Sequence, residues 1–125
     1  MRKISIACLS LLTMGTAANA TTLAAGGLYG GTTQVFALCY LYNAGTSSVN
    51  ISGKHIIEEG VGPISFSADN CGTLALGSIC RFDAGIANNA VHACKAEVSP
   101  NDAHVRGILE IRDGSGTPLQ TEQLR

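Results

Sequence analysis

QVFALCYLY, residues Gln34 to Tyr42, carries apolar side chains at nearly every position. Side chains alternate across a strand, so Val35, Ala37, Cys39 and Leu41 share one face and Phe36, Leu38, Tyr40 and Tyr42 share the other. A strand that is apolar on both faces belongs at the centre of a sheet. The stretch therefore predicts a central strand with Phe36, Leu38, Tyr40 and Tyr42 on its outer face. Asn43-Ala44-Gly45-Thr46 is a turn signal that ends it.

Working outward, short alternating runs are separated by turn signals. Ser48 to Ile57 reads as a strand with Gly53 as a bulge, and Glu58 to Pro63 reads as a loop. Ile64 to Ser67 alternates, Ser78 to Asp83 is a short strand, and Ala90 to Val98 is a strand stopped by Ser99-Pro100-Asn101-Asp102. The Ala-rich run before Pro100 also admits a helical reading. His104 to Arg112 is a further strand, and Leu119 to Leu124 returns as a hairpin arm. Upstream, Thr21 to Thr33 is small and Gly-rich, and reads as a flexible lead-in holding at most one edge strand. Turn signals at this spacing predict an all-β antiparallel sandwich of about seven strands.

The chain opens on a secretion leader. Arg2 and Lys3 are basic, Ile4 to Met14 is mostly apolar, and Ala18-Asn19-Ala20 is a small-x-small cleavage site. The expected organisation is a signal peptide over 1–20, the lead-in over 21–33 and one sandwich domain over 34–125. The apolar run is too short and too interrupted for a stable membrane anchor. Cleavage removes two of the eight basic residues and none of the nine acidic ones, leaving a net charge of −3. Mild acidity without a basic cluster speaks against nucleic acid as a partner.

Cys8 falls in the leader, and Cys39, Cys71, Cys80 and Cys94 follow it. Four cysteines in an exported chain imply two disulfides. Strand alternation lets Cys39 and Cys94 meet between two sheets, while Cys71 and Cys80 clip a Gly-containing loop. The pairings Cys39–Cys71 with Cys80–Cys94, and Cys39–Cys80 with Cys71–Cys94, stay open. A bridge over loops of these lengths contributes about 3 to 4 kcal/mol on the chain-entropy account.

Three runs, CYLYNAGTSSVNI, DNCGTLALGSICRF and VRGILEIRD, together resemble Ig-like domains of the Hydin and choice-of-anchor-D type. The matching positions are Asn43 and Gly45, Val49 and Ile51, the clip Cys71, Leu74, Gly77 and Cys80, and Gly107, Leu109 and Ile111. The resemblance spans Thr33 to Asp113 and implies an Ig-like sandwich with a binding or structural role and no catalytic residues. Ala84 to Asn89 reads as an insertion, and the Cys39–Cys94 pair is additional to the pattern. That pair resembles the inter-sheet bridge of immunoglobulin domains.

Site chemistry is sparse. His92 and Cys94 share a strand face at metal-ligand spacing, but an oxidised Cys94 offers no thiolate. Glu58-Glu59 reads as solvated charge on a loop. No cofactor and no metal is expected. The leading expectation is a secreted or periplasmic, bacterial, non-enzymatic binding or structural module. Its partner would be an unidentified protein or cell-surface component, its contact patch Phe36, Leu38, Tyr40 and Tyr42, with self-association through a sheet edge as a further option. The alternatives are a small secreted hydrolase or metal-dependent enzyme, and a strand-exchanging assembly subunit whose donated arm is Thr21 to Thr33.

Overall fold

The computed structural model describes residues 19–125, so the leader and Cys8 lie outside the described residues. Seven strands carry the fold: β1 (Thr21–Leu28), β2 (Gln34–Asn43), β3 (Val49–Glu58), β7 (Ile79–Gly85), β8 (His92–Ser99), β9 (Val105–Asp113) and β10 (Pro118–Leu124). Three short pieces complete it: β4 (Gly62–Ile64), β5 (Ala68–Asp69) and β6 (Thr73–Leu74). They form two antiparallel sheets. Sheet A runs β1-β8-β3-β4, with β6 also on β3; sheet B runs β10-β9-β2-β7-β5. The described chain is an all-β sandwich, and β2 lies at the centre of sheet B.

The core follows from alternation. Sheet B sends in Ala37, Cys39 and Leu41 from β2, Phe82 and Ala84 from β7, and Leu109 and Ile111 from β9. Sheet A answers with Ile51 and Ile56 from β3, and with Cys94, Ala96 and Val98 from β8. Small side chains dominate, so the layer is held by few large groups, Phe82 above all. Phe66 packs on Phe82 with ring centroids 5.3 Å apart. A tilted aromatic pair adds to the area it removes from water.

Two irregularities set the phase. Ile51 and Ile56 both face the core although they lie an odd number of positions apart along the strand. The register slips between Ser52 and His55, where Gly53 sits at φ 52° and supplies the extra residue. The second slip lies between Gln34 and Phe36. It turns Val35 outward and Gln34 inward, so the inner face expected to begin at Val35 begins at Ala37. Gln34 is buried because its amide is fully used: Oε1 accepts from the Gly30 N–H at 2.7 Å, and Nε2 donates to the Ala87 and Ala90 carbonyls.

The nested disulfide pairing is the one formed. Cys39–Cys94 joins β2 to β8 across the sandwich, with Cα atoms 6.6 Å apart. Cys71–Cys80 closes a separation of nine residues and ties the approach to β6 onto β7. Ala90 to Val98 is extended, not helical: β8 alternates buried and half-buried residues along its length.

The lead-in is ordered where an edge strand was allowed. Thr21–Leu28 pairs with β8 from Thr21↔Val98 to Leu28↔His92, and buries Leu23, Ala25 and Leu28. The sandwich therefore starts at Thr21 and not at Gln34. Leu23 and Leu28 are enough to anchor β1, because the small residues between them let it lie close on the core. Ala24 and Arg125 exchange two backbone hydrogen bonds of 2.9 Å, which lace the end of β10 to β1.

Candidate functional site

The outer face of sheet B holds the four residues expected as a contact patch, and their neighbours decide how each is presented. Register places Phe36 beside Gly85 and Arg112, and Leu38 between Asp83 and Glu110. Tyr40 lies between Arg81 and Ile108, and Tyr42 between Ile79 and Arg106. Arg81 Nε pairs with Asp83 at 2.8 Å, and Arg112 pairs with Glu110. These charged side chains close over Leu38, which is only 6% exposed. The ion pairs draw Arg81 and Arg112 toward the carboxylates that flank Leu38, and long charged side chains can cover apolar surface in this way. Leu38 therefore drops out of the expected patch: it is an outer-face residue roofed by ion pairs.

Phe36 lies at one end of the face, next to the outward-turned Val35, and is 38% exposed. Tyr40 and Tyr42 lie at the other end, with Ile79 and Ile108 beside them. Together with Leu41 and Arg106 they line a shallow groove of about 390 Å³. Ile79 is 66% exposed, Ile108 44% and Tyr42 41%. The expected patch thus divides, and Ile79, Ile108 and Arg106 join its open half. A sequence signal for them exists. Ile79 is out of phase with the core residues Cys80, Phe82 and Ala84, and Ile108 with Leu109 and Ile111. A large apolar residue out of phase with the core lies on the outer face, and is exposed unless neighbouring side chains cover it as they do Leu38.

The groove floor is closely packed. Gly107 lies between Arg106 and Ile108, and a Cβ there would sit 2.9 Å from Leu41 Cδ2 and 3.0 Å from Leu124 Cβ. Its missing side chain lets β10 close onto β9 beneath the groove. Arg112 Nη2 lies 3.4 Å from the Tyr40 hydroxyl. The hydrogen bond to the Glu110 carboxylate holds the Arg112 guanidinium above its ordinary range, against the opposing effect of desolvation.

The polar candidates are placed as follows. Glu58 is not solvated loop charge; it ends β3, and its carboxylate accepts from His92 Nε2 at 3.0 Å and from the Ala87 N–H at 3.1 Å. Those bonds, His92 first and Ala87 second, hold its carboxyl below the ordinary glutamate value. Glu59 accepts from the Val91 N–H, so the two glutamates clamp the loop between β7 and β8. His92 is fully buried, and its Nδ1 is the one buried side-chain polar atom without a partner among the described residues. Cys94 beside it is disulfide-bonded and offers no thiolate. No group of three metal-ligating side chains occurs among the described residues.

A second cavity, of about 220 Å³, opens at the far end of β2 between Asn43, Val49, Pro100 and His104. The Asn43 amide is spent on its own loops: Nδ2 donates to the Ser47 and Leu74 carbonyls, and Oδ1 accepts from the Gly45 N–H. His104 is the titratable side chain on this wall. Nucleophile, base and orienting group do not converge there.

Both disulfides fit an oxidising compartment, and no described helix is long and apolar enough to cross a membrane. No family model, curated protein or solved structure matches the chain.

Proposed function

We propose that this chain is a secreted or periplasmic, non-enzymatic module that binds a partner protein or cell-surface component through the open half of the outer face of sheet B. The observation that carries this reading is the groove lined by Tyr40, Tyr42, Ile79 and Ile108, an apolar surface left in water on a doubly bridged scaffold. Contiguous exposed apolar surface of this kind marks interaction sites. Tyrosine and arginine are the residue types on which binding energy concentrates.

The leader with its Ala18-Asn19-Ala20 site supports export, as do the two bridges. The resemblance to choice-of-anchor-D Ig-like domains supports a binding or structural role. The face is favoured over the edges for physical reasons. β4 and β5 are two or three residues long, β1 is laced to Arg125, and β10 carries Pro118 and Glu122. Short, covered or charged edges are poor templates for added strands. Strand exchange through Thr21 to Thr33 is disfavoured because β1 is already seated in the core of its own chain.

A photo-crosslinking residue introduced at Ile79 tests the reading, with one at exposed Ser52 on sheet A as control. In cells that export the protein, a discrete adduct is expected from position 79 and not from position 52. Equal adducts from both positions, or none from 79, overturn the proposal.

A further inference from the structure

We infer that the open half-face takes an extended protein segment bearing an apolar side chain next to a carboxylate, with Arg106 holding the carboxylate. This deepens the docking reading above and rests on it. The first observation is a charge left unmatched. Three arginines, Arg81, Arg106 and Arg112, stand on this face, and Arg81 and Arg112 are each neutralised by a carboxylate two residues away on their own strand. Among the described residues, Arg106 has no carboxylate partner. Its Nη1 instead donates to the Ala103 and Val105 carbonyls, at 3.2 and 3.0 Å. Those two bonds fix the guanidinium at the rim of the groove and leave Nε and Nη2 free to donate. A planar cation fixed in this way matches a carboxylate.

The second observation is the shape of the surface around it. Arg106 lines the groove of Tyr40, Tyr42 and Ile79, and also a neighbouring one of about 250 Å³ with Gln123 and Leu124. Ile108 is common to both and to a third, of about 180 Å³, reaching Thr121 and Glu122. The three form a track across β7, β2, β9 and β10. Strands lie about 4.8 Å apart, so the track is roughly 14 Å long, the reach of about four extended residues. It is open and shallow, whereas small ligands sit in pockets that cover most of their surface. An extended chain, with more contacts beyond the track, is the better occupant. Arg106, on β9 where the first two grooves meet, is the arginine of this face without a carboxylate partner, so the acidic group belongs beside it.

A random hexapeptide phage library panned on the immobilised chain from Thr21 to Arg125 tests this. Three targets are compared: the unaltered protein, Arg106→Gln, and the double variant Ile79→Asp with Ile108→Asp. All three altered positions are exposed, and circular dichroism checks that each variant keeps the fold. The unaltered protein should enrich peptides with Asp or Glu beside Leu, Ile, Phe or Tyr. Arg106→Gln should keep the apolar preference and lower the acidic enrichment about tenfold, the loss expected for one charge-assisted pair. Apolar enrichment with no acidic preference on the unaltered protein overturns the role of Arg106 and leaves the docking face standing. Enrichment no greater than on the double variant overturns both.

Discussion

Leu38 and Tyr42 leave β2 by the same face, four residues apart, and meet opposite fates. Leu38 lies between Asp83 and Glu110, whose arginine partners complete a roof, and is 6% exposed. Tyr42 lies between Ile79 and Arg106 and is 41% exposed. Nothing on β2 itself distinguishes them. The adjoining strands do: β7 and β9 each place an acidic residue beside Leu38, and an apolar or singly charged residue beside Tyr42. An outer-face apolar side chain is therefore core-like where ion pairs cover it and open to water where they do not.

The hardest test of that contrast is Leu38→Ala. If the ion pairs seal Leu38 as a core position is sealed, truncation should cost about 2 to 3 kcal/mol, as buried leucines do. For a domain of this size that is a fall in melting temperature of about 10 °C or more. Thermal unfolding under oxidising conditions reads it directly. A loss below about 0.5 kcal/mol, the usual range for surface sites, would mean that the roof excludes little water.

The carboxylate contacts themselves divide in the same way. Arg81–Asp83 and Arg112–Glu110 lie on an open face, where such pairs contribute little in their own right. Glu58–His92 is enclosed, and the same carboxylate also holds the Ala87 N–H. Glu58 has a folded-state pKa below its ordinary value of about 4.3. Its contribution is therefore complete above that ordinary value and is lost as pH falls through the lower, folded one. Glu58→Gln should lower stability at pH 7 by about 1 kcal/mol. It should also flatten the acid limb of the stability profile below about pH 4.3. Denaturant titrations from pH 7 to pH 3 compare the two proteins. An unchanged acid limb in Glu58→Gln would show that the loss at low pH comes from other carboxylates.

Legibility in the sequence followed how local each cause was. β2, the sheet layering and the favoured Cys39–Cys94 bridge were readable because alternation along one strand fixes which side chains face inward, and Cys71–Cys80 was readable as a local loop clip, although the other pairings stayed open. Gly53 was readable as a bulge because glycine interrupts an alternating run. The bulge at Val35 was not, since nothing in QVFALC marks it. It is set by Gln34, whose amide finds the Ala87 and Ala90 carbonyls more than fifty residues away. The patch was half readable. Tyr40 and Tyr42 come from β2 alone, but the cover over Leu38 and the joining of Ile79, Ile108 and Arg106 depend on β7 and β9 register. Glu58 was misread for the same reason: its partner His92 is remote in sequence and adjacent only once β3 and β8 pair.

The smallest expected effect is also the most diagnostic for the open half. Ile79 is 66% exposed, pairs with Tyr42 across the strand, and contributes nothing to the buried core. Ile79→Thr keeps a β-branched side chain, so strand preference changes little. Stability should then move by no more than about 0.5 kcal/mol, the ordinary range for a surface site. Binding of a hydrophobic dye at the groove should nevertheless fall, because one of its apolar walls is removed. Leu38→Ala should show the reverse pattern, a large loss of stability with no loss of dye binding from the native state. That crossed result separates a covered residue from a presented one on a single strand. If Ile79→Thr instead destabilises as strongly as Leu38→Ala, the open half is an outer extension of the core. The docking role would then have to move to another surface.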